Sequence, residues 1–204
     1  MCIRDSFKTA TEDVTKAYAY KTALALNADY SMVSVSGYGI ISGFTNDGNK
    51  IPEQTIPQYY DKLGFSYNKF ADSITVSETE WDFERYKPDI IVINLGTNDM
   101  NYATTDERKA EFEDGYLDFL KKVRSLNPDS YIFQTYGVMG TSLEENIENV
   151  RRKYMSETGD ERITFIPLTM QDEDADGIVA DWHPSPRTHS PVSYTHLTLP
   201  TNSL

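Results

Sequence analysis

Three short segments of this sequence place chemically capable residues where a fold can use them. The first is Gly96-Thr97-Asn98-Asp99, directly after the apolar run DIIVINL at residues 89–95. Glycine permits a tight turn, and a carboxamide projecting from a strand end can donate to a developing oxyanion. The same four letters also suit an ordinary turn, because Asn and Asp favour turns. The second is Ser36-Gly37-Tyr38-Gly39, after SMVSVS. A bare glycine lets the backbone approach a ligand and offers its N–H to the same oxyanion. The spacing Gly37-x-Gly39-x-x-x-Gly43 also matches part of a dinucleotide loop. That fingerprint needs a helix opening within the glycines, and the following FTNDGNKIP is loop-forming, so the nucleotide reading is set aside. The third is Asp181-Trp182-His183-Pro184-Ser185. A carboxylate beside a histidine can orient the imidazole and stabilise its charged form, as in a serine-hydrolase triad. A solitary histidine is more often structural. His183 is singled out over His189 because it has a carboxylate neighbour in a motif. Asp172-x-Asp174-x-Asp176-Gly177 imitates half of a calcium loop, but its twelfth position is His183 rather than glutamate, and it reads as a solvated acidic loop.

These segments need elements to position them. Acids around residues 11–13 mark a helix start, and the Ala/Leu/Tyr-rich stretch 15–27 suits a helix. Residues 31–36 alternate and are β-branched, which predicts a strand. A short helix is expected over 52–63. The run 89–95 has the pattern of a strand buried on both faces of a parallel sheet. Phe112, Tyr116, Phe119, Leu120 and Val123 recur at helical spacing within 107–126, and Asn127-Pro128 stops that helix. Strands are expected at 130–136 and 162–166, with a helix over 143–156 before Gly159 between them. Strands alternating with helices imply an α/β fold with a parallel sheet, whose ligand crevice lies at the carboxyl ends of the strands. All three segments fall at or beyond such ends.

The 204 residues carry a net charge of −13, which argues against a nucleic-acid partner, since that wants a basic face. An acidic surface is compatible with a neutral polysaccharide. Only one cysteine, Cys2, is present, so no intrachain disulfide framework is possible. No run reaches the length needed to span a membrane, and no secretory leader opens the chain. Both ends break the texture of the rest. MCIRDS and SPVSYTHLTLPTNSL resemble translated sequencing-adapter read-through. Residues 1–6 and 191–204 are therefore expected to be non-native tails around one domain at 7–190, incomplete at both ends.

Taken as an ordered set, SGYG, GTND and DWHPS resemble the second, third and fifth sequence blocks of the SGNH (GDSL-type) hydrolases. ATEDVTKAYAYKTALALNADYSMVSVSGYGI and DIIVINLGTNDMN look most like the catalytic domain of carbohydrate esterase family 2. The resemblance covers residues 7–190 and implies a flavodoxin-like three-layer α/β/α sandwich, here truncated. It implies that Asn98 and a glycine N–H, Gly37 or alternatively Gly39, form an oxyanion hole with the nucleophile's own N–H. It implies that His183 is the general base. The superfamily's aspartate stands three residues before the histidine, where this chain has Ala180. Asp181 is assigned the orienting role, with a backbone carbonyl and a catalytic dyad as the alternative. The first block, GDS at the end of a strand, is not found. Asp5-Ser6 imitates two of its letters, but no glycine or strand precedes them, and Ser6 is not assigned. A central strand and a closing helix after His189 are accordingly expected to be missing.

The resemblance implies a serine O-acetyl esterase that removes acetyl groups from hemicellulose or related saccharides, inactive as this fragment. Neither metal nor organic cofactor is implied. Trp182, Tyr38 and Tyr102 are candidate faces for sugar stacking, and a secreted or cell-surface bacterial location is implied. The alternative, from a different functional class, is a non-catalytic carbohydrate-binding remnant of the same fold.

Overall fold

The structure, a computed structural model, describes residues 13–65, 69–70, 74–179 and 182–197. It divides into two compact units. The larger comprises residues 37–136 and 142–167, and the smaller comprises the chain through 36, residues 137–141 and the chain from 168 onward.

The larger unit is built on a sheet of β3 (Ile90–Asn94), β4 (Tyr131–Gly137) and β5 (Ile163–Leu168), in that order. β3 and β4 are parallel, in a register that sets Ile90 opposite Tyr131 and Asn94 opposite Thr135. Their connection is α2 (Asp106–Leu126), and α3 (Glu144–Thr158) joins β4 to β5. α2 starts where the Thr105 side chain accepts from the Arg108 N–H and where Asp106 and Glu107 meet the helix dipole. All five apolar positions expected to line one face, Phe112, Tyr116, Phe119, Leu120 and Val123, are buried. Burial of each such side chain contributes roughly 1.5–3 kcal/mol. α3 adds Ile147, Val150 and Tyr154 to the core and ends at Gly159, whose φ of +69° is the left-handed conformation glycine supplies at a helix C-terminus. Two short strands, β1 (Lys69–Phe70) and β2 (Ile74–Thr75), pair antiparallel and were not anticipated.

The smaller unit packs α1 (Tyr18–Ala25) with α5 (Pro186–Leu197). Tyr18, Val138, Leu168 and Val192 form its buried cluster. The Thr22 hydroxyl donates to the Tyr18 carbonyl at 2.9 Å, and Lys21 Nζ donates to Ser190 Oγ at 2.9 Å.

Several expectations are corrected. The predicted helix over 15–27 is confined to α1, and a 3-10 turn at Val14–Lys16, capped by Asp13, precedes it; Thr11 and Glu12 lie outside the described residues. Residues 31–36 form no ladder, and Val33 is 67% exposed. A β-propensity becomes a strand only when a neighbour takes its N–H and C=O groups, and no described segment does. The helix expected over 52–63 shrinks to a 3-10 turn at Ile56–Gln58, with Pro57 in its first turn and Thr55 bridged to Gly39. β3 is not buried on both faces: Val92 is 44% exposed, and β4 is its only partner among the described residues. Finally, helix continues after His189 as α5, although residues 191–204 were left out of the fold. Ser185-Pro186 explains its start, because the serine hydroxyl accepts from the Arg187 N–H at 3.1 Å and proline tolerates the first helical position.

Candidate active site

The larger unit brings Gly37, Tyr38, Asn98 and Asp99 together. β3 ends at Asn94, and the chain turns at Gly96, whose φ is +120°. A Cβ there would meet the rings of Tyr136 at 3.2 Å and Phe112 at 3.3 Å, so only glycine lets the turn sit on the core. Asn98 follows, half-buried, and its Nδ2 donates to the Tyr38 carbonyl at 2.7 Å. That carbonyl can only accept, which fixes the amide with its NH2 group toward the glycine loop. One amide N–H is thereby committed and the group is oriented.

The two glycines considered for the oxyanion differ. Gly39 donates its N–H to the Gln54 carbonyl at 3.1 Å and accepts from the Ile56 N–H at 2.8 Å. A Cβ on it would overlap the Ser42 carbonyl and the Asp99 carboxylate. Its N–H is occupied. Gly37 has φ of +81°, open space where a Cβ would stand, and no engaged N–H among the described residues. Tyr38 lies between them, its ring 6.1 Å from that of Tyr59 and 6.3 Å from that of Phe65. Tyr102 is occupied elsewhere. Its hydroxyl donates to Glu111 at 2.8 Å, and the Arg108 guanidinium lies 4.6 Å from its ring centroid.

Asp99 was missed by the sequence reading, which treated it as part of the turn. Its carboxylate is fully buried and accepts the N–H groups of Ile40, Ile41 and Ser42. Burial raises its pKa above the ordinary aspartate value, while the backbone N–H bonds pull it down.

His183 and Trp182 belong to the smaller unit. The Val179 N–H donates to the His183 carbonyl at 2.9 Å, and Ile178 bridges Pro184. The Ser185 hydroxyl donates to the Asp176 carbonyl at 2.7 Å while capping α5. His183 is half-buried, and Trp182 is 66% exposed with φ of +56°. Such a backbone is strained for a bulky residue. The Trp182 carbonyl accepts from Gln171 Nε2 at 2.9 Å. Asp181, like Ser6, lies outside the described residues. His189 is fully buried, and its Nδ1 accepts the Tyr18 N–H at 3.3 Å. Desolvation, and then the charge of Lys21, push its pKa down to about 4. It is a structural histidine, which leaves His183 as the more accessible of the two.

No group of three His, Cys, Asp or Glu is arranged to hold a metal ion among the described residues. Asp172 caps the short helix α4 (Glu173–Asp176) by accepting from Asp174 and Ala175 N–H groups. No helix among the described residues is long and apolar enough to cross a membrane.

The chain is 32% identical over 193 residues to the cellulase/esterase CelE of Acetivibrio thermocellus, covering 90% of this chain and 21% of that protein. It is 29% identical over 127 residues to an acetylxylan esterase/glucomannan deacetylase of Cellvibrio japonicus, covering 61% of this chain and 31% of that protein. Among solved structures it resembles the acetyl xylan esterase Est2A from Butyrivibrio proteoclasticus, with a TM-score of 0.83 and 26% identity over 96% of this chain and 57% of that one. A family two carbohydrate esterase from Clostridium thermocellum, in complex with cellohexaose, matches with a TM-score of 0.75 and 29% identity, over 95% of this chain and 55% of that one. The chain thus spans about a fifth to a third of the curated relatives and somewhat more than half of the solved chains. The fold is that of their parallel α/β architecture. The family model for GDSL-like lipases and acylhydrolases matches residues 9–190, and this chain belongs to that family.

Proposed function

We propose that this chain is the O-acetyl esterase domain of a saccharide deacetylase. A serine attacks the acetyl carbonyl. His183 accepts its proton, and the Asn98 amide and the Gly37 N–H receive the negative charge that develops on the carbonyl oxygen. Collapse of the tetrahedral intermediate expels the sugar oxygen, which takes the proton back from the imidazolium. Water activated by the same imidazole then releases acetate. Asp181 orients His183. No described residue is assigned as the nucleophile. Trp182 and Tyr38 supply faces for the sugar, and the substrate class is acetylated hemicellulose, such as xylan or glucomannan.

The observation that carries this reading is the Asn98–Tyr38 bond. It aims a carboxamide from the end of β3 beside a glycine whose N–H has no partner among the described residues. The test is acetate release from acetylated xylan and 4-nitrophenyl acetate by the protein expressed from the whole gene. Turnover that disappears in His183→Ala is expected. An intact, folded protein that releases no acetate from either substrate overturns the reading.

A further inference from the structure

The chemistry just described leaves Asp99 without a part, although it is the only fully buried carboxylate among the described residues. Three consecutive backbone amides converge on it. Oδ1 accepts from Ile41 at 2.8 Å, Ile40 at 3.0 Å and Ser42 at 3.1 Å, and Oδ2 accepts from Ile40 at 2.9 Å. Asp99 is itself pinned to its own turn. Its N–H donates to the Gly96 carbonyl at 3.1 Å, and its carbonyl accepts from Tyr102 and Ala103 at 2.9 and 2.8 Å. One residue earlier, Asn98 grips the Tyr38 carbonyl. Adjacent side chains on one turn therefore hold both ends of the loop from Tyr38 to Ser42. Gly39 lies between, so close to the carboxylate that no other residue fits.

We infer that Asp99 is a positioning residue whose carboxylate locks the glycine loop, and with it the Gly37 N–H, against the Asn98 amide. The inference rests on the esterase reading. Donors stabilise an oxyanion only when they are held in place before the charge appears. A surface loop left to itself moves. A carboxylate in a ring of backbone N–H groups is a strong, directional anchor, because charge-assisted bonds are shorter and stronger than neutral ones. Asparagine cannot replace it fully, since its NH2 group would face an N–H where Oδ2 accepts one. Asp99 is fully buried and acts through Asn98 and Gly37.

The test uses the protein from the whole gene, with Asp99→Ala, Asp99→Asn and, as a control for general destabilisation, Thr105→Ala at the start of α2. Deacetylation kinetics and amide hydrogen exchange at residues 40–42 are read together. In Asp99→Ala, exchange at Ile40, Ile41 and Ser42 is expected to accelerate at least about tenfold. Its kcat should fall about 10–100-fold, the scale of a misplaced catalytic group, with KM within about threefold because the donors meet charge only in the transition state. Asp99→Asn should fall between parent and alanine in both readouts, and Thr105→Ala should leave kcat unchanged. Unaltered exchange, or kcat within about twofold of the parent in folded Asp99→Ala, overturns the inference. If Asp99→Ala does not fold, Asp99→Asn decides by the same criteria. A parent protein that releases no acetate overturns the esterase reading and the catalytic half of this inference with it, and the exchange rates still decide whether Asp99 holds the loop.

Discussion

The turn at residues 96–99 and the loop at residues 182–185 each carry one part of the proposed chemistry, and the chain secures them differently. Around the first, five side-chain-to-backbone contacts from Asn98 and Asp99 bind a glycine loop that starts about 60 residues away in sequence. Around the second, the contacts among the described residues include the Ser185 cap of α5, the Ser185 bond to the Asp176 carbonyl, a two-residue bridge and the Gln171 bond to Trp182. The difference fits the two tasks. An oxyanion hole works through donors that do not move as charge develops, so it calls for a dense network. A general base must exchange a proton with successive partners, and its imidazole needs accessible space, which the half-buried His183 has and the fully buried His189 lacks.

This contrast can be broken at either side. The largest expected effect is at the base. In the protein from the whole gene, His183→Ala is expected to lose at least about 10,000-fold in kcat, since without it neither proton transfer occurs. Retained turnover would move the base to another residue. Asn98→Ala should lose about 100–1,000-fold in kcat with little change in KM, the range observed when one oxyanion donor is removed. A kcat equal to that of the parent would reduce the Asn98–Tyr38 bond to loop structure. Asp181→Asn should lose more than about tenfold if the carboxylate orients the imidazole, whereas a loss below about threefold leaves His183 oriented by a backbone carbonyl.

The smallest effect concerns pH and separates the two regions by stability. His189 sits in α5, directly beyond the His183 loop, and its folded pKa of about 4 lies below the ordinary 6.5. Above pH 6.5 neither folded nor unfolded chain protonates it. Between 6.5 and 4 the unfolded chain takes up a proton that the folded chain refuses, so stability falls as pH falls. The slope is at most about 1.4 kcal/mol per pH unit, on the order of 1–2 kcal/mol by pH 5. Thermal melting of the parent and of His189→Gln at pH 7 and pH 5 checks this, with the variant expected to flatten the response. Equal slopes in the two proteins would show that another group governs acid sensitivity.

Much of this architecture was legible in local patterns. The apolar stripe of α2 and its stop at Asn127 depend on residues within a turn or two of one another. The same holds for α3 and its terminal Gly159. Asn98 was legible because an apolar run, a glycine and a polar pair follow in close succession. Asp99 was not, because turn-forming Asp and anchoring Asp look alike until their acceptor bonds are known. Gly37 and Gly39 were equivalent by spacing, and the Gln54 carbonyl that occupies Gly39 separates them. Ser185-Pro186 was a readable helix start that the nearly charge-free composition of the last residues obscured.

From its letters alone, the strands β3, β4 and β5, the helices α2 and α3, their α/β order and the three segments with chemical potential could be deduced, because propensity, capping and hydrophobic period are properties of neighbours in sequence. Tertiary structure alone decided which strand faces are covered and which turns are gripped. DIIVINL is more apolar than YIFQTYG, yet β4 lies between two hydrogen-bonded neighbours and is almost wholly buried, while β3 leaves Val92 open. SMVSVS has strand chemistry but no described neighbour to pair with. Pairing, burial and the grip of Asp99 on Ile40, Ile41 and Ser42 all depend on groups that meet only after the chain has folded, since each hydrogen bond needs a partner that local sequence does not name.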